Sequence, residues 1–383
     1  MYKIGNDNEE LPMTNKTIDH FFKEIEDPRH HNRLHKLIDI IIIAICAVIS
    51  GADTYDQIET FGNVRKSWLS KFLELPNGIP SHDTFGRVLE KLNPIEFQNS
   101  FMKWIASVSK QTKGQVIAID GKTLRRSHDY ANDKKAIHMI SAWAESNNVV
   151  LGQLKTSDKS NEITAIPILL KLLDISGSII TIDAMGTQKQ IAQTIIENGA
   201  DYVLALKENH KTFHDEVVRL FDHQEAMRQQ GYFFDECTTV DGDHGRVETR
   251  KYTAISDLDW FEDKSEWKGL NSICMVDSIR EIGGKVSQEK RYYISSLECD
   301  AQKIGKAIRS HWGIENSVHW ILDMAFREDE SRIRKGYGAE NFAAIRNIAL
   351  NLLKNNKTFK GSVKTKRLRA TMDPSYLKEV VFG

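Results

Sequence analysis

VIAIDGKTLRRS, residues 116–127, runs four apolar residues into an aspartate, then a glycine and a lysine. A short, β-branched, wholly apolar run reads as a strand buried on both faces. Asp120 ends it. GSIITIDAMG, residues 177–186, repeats the pattern and ends its apolar run on Asp183. An acid in that place either caps its turn or holds something in the crevice at the strand ends. Two such acids on neighbouring strands, about 4.8 Å apart, repel unless a cation lies between them.

Outward from this pair, residues 113–230 read as three strands, helix, strand, helix, strand, helix. QVIAIDGKTL, KAIHMISAWAES and NVVLGQLKTS are the first three strands, with a tight turn at Asn147-Asn148. NEITAIPILLKLLD is a helix capped by Asn161, and TQKQIAQTIIENG a helix ending at Gly199. Three antiparallel strands followed by βα alternation make a mixed α/β sheet with helices upon it. That is the strand order of the ribonuclease H-like fold. Residues 231–297 return to strands and read as a β-rich insertion, and 300–355 are helical again.

The organisation expected is therefore an all-helical N-terminal domain (1–112), a catalytic domain (113–355) with the insertion at about 231–297, and a tail (356–383). SHDTFGRVLEKL, with Ser81 as cap and Arg87 and Lys91 outward, suits either a helix-turn-helix or a plain helical support. The tail region carries seven basic residues and no acid from Lys354 to Arg369, and is expected to be mobile and to touch DNA phosphates.

Hydrophobic content of 40% and charged content of 27% are those of a soluble globular protein. The longest apolar stretch, Ile40–Ile49, is about half of the roughly 20 residues a bilayer needs, so it reads as a buried helix. Four cysteines, with no CxxC spacing, indicate neither a zinc site nor a disulfide framework, and point to a reducing cytoplasm. A net charge of -1 hides a strong asymmetry: Lys303–Ala370 holds 15 Lys/Arg against 6 Asp/Glu. Such a basic quarter suits nucleic acid.

A pair of acids binding hard cations wants a third carboxylate. In HWGIENSVHWILDMAFREDESRIR, Glu315 is the choice and Asp323 the rival, both on the helix face of Trp312, Asn316, His319 and Trp320. Three carboxylates holding two Mg²⁺ or Mn²⁺ ions form an apparatus for in-line attack at a phosphodiester. Lys122, Arg125 and Arg126 follow the first aspartate, Lys207 and His210 follow the next strand, and Arg246 stands in DHGRVETR. They read as phosphate contacts, with Gly121 making room for a phosphate and Lys122 neutralising it. The histidines lack cysteine partners, and His311 and His319 stand eight apart, which argues against zinc. IDGK lacks the P-loop spacing.

AIDGKTLRRS, ITIDAMGTQ, YVLALKENH, DHGRVETR, YYISSL, HWGIENSVHWILDMAFREDESRIR and IRNIALNLL, in that order, resemble the landmarks of the H-repeat-associated (ISAs-type) DDE transposases of bacterial insertion sequences. The first 110 residues resemble that family's associated N-terminal domain. The resemblance implies a ribonuclease H-like core, a triad of Asp120, Asp183 and Glu315, divalent metal, transposon-end and target DNA as partners, and a homodimer in the synaptic complex. The wider group with a β insertion places Tyr, Arg and Lys around the last glutamate. Here those positions are Ile308, His311 and Leu322, so Arg309 and His311 are candidates to bind phosphate instead. A metal-dependent nuclease of the same fold without strand transfer, or a silent DNA-binding relic, would share most of these features.

Overall fold

The computed structural model describes residues 17–31, 33–109, 113–128, 135–156, 161–243 and 245–383. Its strands are β1 (Val116–Thr123), β2 (His138–Ala144), β3 (Val149–Thr156), β4 (Ile179–Ile182), β5 (Asp201–Leu206), β6 (Asp235–Asp243), β7 (Arg246–Ile255), β8 (Ser272–Ile282) and β9 (Lys285–Ser295). They make one nine-stranded sheet in the order β3-β2-β1-β4-β5-β9-β8-β7-β6. β1, β4 and β5 run parallel, and β2 and β3 antiparallel beside them. This is the ribonuclease H-like mixed sheet. β9 then pairs antiparallel with β5, so the β-rich segment extends the same sheet by four strands.

Among the described residues, six α-helices precede the sheet: α1 (Ile18–Phe22), α2 (Leu37–Ile49), α3 (Tyr55–Val64), α4 (Lys66–Leu69), α5 (His82–Lys91) and α6 (Pro94–Val108). Four lie among the strands: α7 (Glu162–Leu172), α8 (Lys189–Glu197), α9 (Lys211–Asp222) and α10 (Gln224–Gln229). Five follow: α11 (Ala301–Ile314), α12 (Trp320–Phe326), α13 (Gly338–Asn355), α14 (Val363–Met372) and α15 (Pro374–Phe382). The apolar Ile40–Ile49 run is buried in α2, and no described helix is long and apolar enough to cross a membrane. Asn148 turns the β2–β3 hairpin at φ 54°, a left-handed conformation asparagine tolerates.

α13 ties the helical layer to the sheet through polar side chains spaced along one buried helix. Asn341 Nδ2 donates to the carbonyls of Leu89 and Leu92, and Asn351 exchanges two hydrogen bonds with the Val150 backbone on β3.

The expected mobile tail is a helix pair instead. Tyr376, Leu377, Val380 and Val381 are buried, and Phe382 stacks edge-on against Phe72. Two of the seven basic residues are buried: Lys366 donates to the carbonyls of Leu353 and Asn356, and Arg367 donates to Val48. The charge pattern concealed a helix pair: α15 buries an apolar face, while α14 buries Ala370 together with Lys366 and Arg367.

Candidate functional site

Parallel pairing puts Ile119 opposite Ile182, so Asp120 and Asp183 are the next residues of adjacent strands. Each acid also serves its own turn. Asp120 Oδ1 accepts from Gly121 N at 2.9 Å, and Asp183 Oδ1 accepts from Met185 N at 3.1 Å and Gly186 N at 3.2 Å. Capping thus takes one oxygen of each carboxylate. Asn209 Nδ2 donates to the Ala184 carbonyl, and His210 Nε2 lies 2.6 Å from the Thr187 carbonyl, clamping the turn behind Asp183.

α11 crosses the strand ends closely because Gly313 has no side chain: a Cβ there would lie 2.5 Å from the Trp143 ring. The helix then widens into one π turn, Glu315–His319, before α12. π turns often mark functional sites, because the extra residue re-aims side chains. Here Glu315 opens the turn and His319 closes it. His319 Nδ1 lies 3.0 Å from Glu315 Oε2 and 3.5 Å from Asp120 Oδ2. Lys354 on α13 holds the turn by donating to the Ser317 carbonyl at 2.6 Å, and burial pulls its ammonium down to about 7.

Burial pushes the Asp120 carboxyl up to about 6; nearby His319 and the Gly121 N–H oppose this, while the charges of Asp183 and Glu315 add to it. The hydrogen bond from His319 holds Glu315 below its usual value. Asp120 thus resists ionisation beside the charges of Asp183 and Glu315. Ligand atoms of Asp120, Glu315 and His319 lie within 4.8 Å of one another, a donor set that fits a divalent ion. The adjoining groove, about 980 Å³, is lined by Asp120, Asp183, Glu315, Lys207 and His311.

Several basic residues expected at phosphates have other partners. Lys122 Nζ is paired with Asp323 at 2.5 Å and Glu328 at 2.9 Å, with its side chain only 12% exposed. Burial disfavours its charge, but Glu328 and Asp323 outweigh that and hold its ammonium above the usual value. The room beside Asp120 is also taken: a Cβ on Gly121 would lie 2.4 Å from both Glu162 Oε1 and His138 Nε2, a buried pair bonded at 2.5 Å. Gly121 therefore makes space for that pair, not for a phosphate.

Asp323 does not pair with Arg327, because α12 ends at Phe326 and Arg327 takes a left-handed conformation (φ 50°) and pairs with Glu330. His210 is a clamp on the turn. His311 bonds Thr181 Oγ1 at 3.0 Å, and burial lowers its pKa, so at neutral pH it brings no positive charge. Arg246 pairs with Glu248 and, with Arg309, lines a separate pocket of about 620 Å³ between the β6–β9 face and α11. Arg291 and Trp312 border both cavities, the guanidinium 4.8 Å above the indole. Arg125 is exposed and reaches Asp329 at 3.1 Å; Arg126 lends its carbonyl to Arg334.

In the sequence His319 stands on the helix face of Glu315 and too far from His311 for a zinc pair; the signal for its place beside Glu315 is the i+4 spacing.

The chain matches two family models: "DDE_Tnp_1-associated" over residues 19–105 and "Transposase DDE domain" over residues 111–352. It is 44% identical to "Putative transposase YncI" of Escherichia coli O157:H7, covering 96% of this chain and 95% of that one. It is 43% identical to "H repeat-associated putative transposase YhhI" of Escherichia coli strain K12, covering 91% and 93%. With one family model covering most of the chain and relatives above 40% identity along nearly its whole length, this chain belongs to the DDE transposase family.

Proposed function

We propose that the chain is a DNA transposase in which Asp120, Asp183 and Glu315 hold Mg²⁺ or Mn²⁺ for cleavage of transposon-end DNA and strand transfer to target DNA. The observation carrying this reading is the parallel register that sets Asp120 beside Asp183, with the π turn of Glu315 above them. When bound, divalent ions activate an oxygen nucleophile and stabilise the leaving oxygen at a phosphodiester. The chain's own contribution is placement. Backbone N–H groups fix one oxygen of each aspartate, and the second oxygen stays uncommitted to the turn. Exposed Lys207, at the end of β5, offers the groove a cation for phosphate, while neutral His311 offers an uncharged ring. Arg246 on β7 and Arg309 on α11 offer further cations from the neighbouring pocket, which Asp241 and Glu248 also line.

Residues 1–112 take the DNA-reading role in this proposal, with Arg87 and Lys91 exposed on α5, and residues 113–355 the chemistry. Two copies would assemble on paired ends. The test uses a duplex carrying the element's terminal repeat, a target plasmid and Mg²⁺. Cleavage and joining of the freed 3′-OH are expected from the native chain. Both are lost in Asp120→Asn, Asp183→Asn and Glu315→Gln with DNA binding retained, whereas Asp323→Asn is only impaired. Cleavage without joining makes it a nuclease. Normal cleavage by either aspartate variant refutes the metal reading.

A further inference from the structure

We infer that His319 is a fourth side chain of the metal site, binding the ion through Nδ1 beside Asp120 and Glu315. The inference rests on the metal reading above and extends it. Its side chain is buried, only 6% exposed, yet Nδ1 faces two carboxylates, at 3.0 Å from Glu315 and 3.5 Å from Asp120. Adjacent ligands on a six-coordinate ion with bonds near 2.1 Å stand about 3.0 Å apart. His319 Nδ1 stands at 3.0 Å and 3.5 Å from the two carboxylate oxygens, and all three donor atoms lie within 4.8 Å of one another.

Nothing else claims the ring. Nε2 is buried with no partner among the described residues, so no second hydrogen bond pins the proton to either nitrogen. In the ion's absence Nδ1–H donates to Glu315. With the proton moved to Nε2, the Nδ1 lone pair faces the same point. That leaves an unpaired N–H in the interior, which weakens the site without preventing binding. An aliphatic residue would fill the space with no such penalty.

The backbone supports the same conclusion. One π turn carries Glu315 at its start and His319 at its end, and both approach Asp120 across the helix–sheet interface. An imidazole also moves the donor set away from the all-oxygen shell that Mg²⁺ prefers. The site should accordingly favour Mn²⁺, and lose part of that preference when the nitrogen is removed.

The experiment is Mn²⁺ binding to the full chain, followed by electron spin-echo spectroscopy of the bound ion. Coupling to one ¹⁴N nucleus is expected in the native protein. In His319→Gln the coupling should vanish and Mn²⁺ affinity fall about tenfold or more, with the Mn²⁺-over-Mg²⁺ preference reduced. Should that variant fail to fold, the native spectrum decides alone. Bound Mn²⁺ without nitrogen coupling overturns the role of His319 and leaves the carboxylates in place. Mn²⁺ that does not bind, or binds Asp120→Asn as tightly as the native chain, overturns the metal reading and this inference together.

Discussion

Lys122 Nζ lies 2.9 Å from Glu328 Oε2, and the Glu328 side chain is 2% exposed. Arg346 NH1 approaches the same carboxylate at 3.8 Å, from a side chain also 2% exposed. Lys122 is thus part of a buried charge network that fixes the segment after α12 against β1. Removing one partner of such a network strands the other charge, at a cost of about 3 kcal/mol. Glu328→Gln should lower the melting temperature markedly. Lys122→Met should also destabilise, while the slope of DNA affinity against salt stays unchanged. A flatter slope in Lys122→Met would restore it as a phosphate contact.

Asp120 gives a pH signature. Its folded pKa is raised, to about 6 from 3.8, so the native state binds that proton more tightly than the unfolded chain does. The ionised carboxylate therefore destabilises the metal-free fold above about pH 6, and the penalty fades as pH falls toward 4. Asp120→Asn removes it. In chelator, the variant should melt higher than the native chain at pH 7.5, by up to roughly 3 kcal/mol, and equally at pH 4. A gain that does not change with pH would mean the carboxyl is not buried as described.

Gly121 is required by space, since its backbone has no left-handed φ. A methyl group would collide with Glu162 and His138, both less than 5% exposed, so the pair cannot swing away. Gly121→Ala should destabilise by about 3 kcal/mol. Denaturant unfolding measures this, and Gly121→Ala combined with Glu162→Ala should recover part of the loss. Native stability in the single variant would show that the pair has room to move.

The C-terminal helices separate two roles for their charge. Deleting residues 356–383 should uncover α2 and lead to aggregation, whereas replacing exposed Lys357, Lys360 and Lys364 with alanine should leave the fold intact. If these lysines meet DNA, the triple variant flattens log affinity against log salt by about 2–3 units, near 0.9 per phosphate. It should weaken transposon-end and random DNA alike. An unchanged slope assigns them to solubility.

What the sequence by itself determined is local. Apolar runs closed by Asp120 and Asp183 form strands because β-branched residues side by side have nowhere to go but the inside of a sheet. Helical spacing likewise placed α2, α7, α8 and the helix bearing Glu315. Only the tertiary structure decided what each charge does, because ion pairs form between residues far apart in the chain. Lys122 meets Asp323 and Glu328 some two hundred positions away, and Arg367 meets Val48 across more than three hundred. The β6–β9 strands were legible as strands, but their joining to β5 depends on register, which hydrophobic pattern alone does not set for an antiparallel edge. The π turn was not legible either, because residues at i and i+4 share a face in an ordinary α turn as well; in the structure it brings Glu315 and His319 together over Asp120.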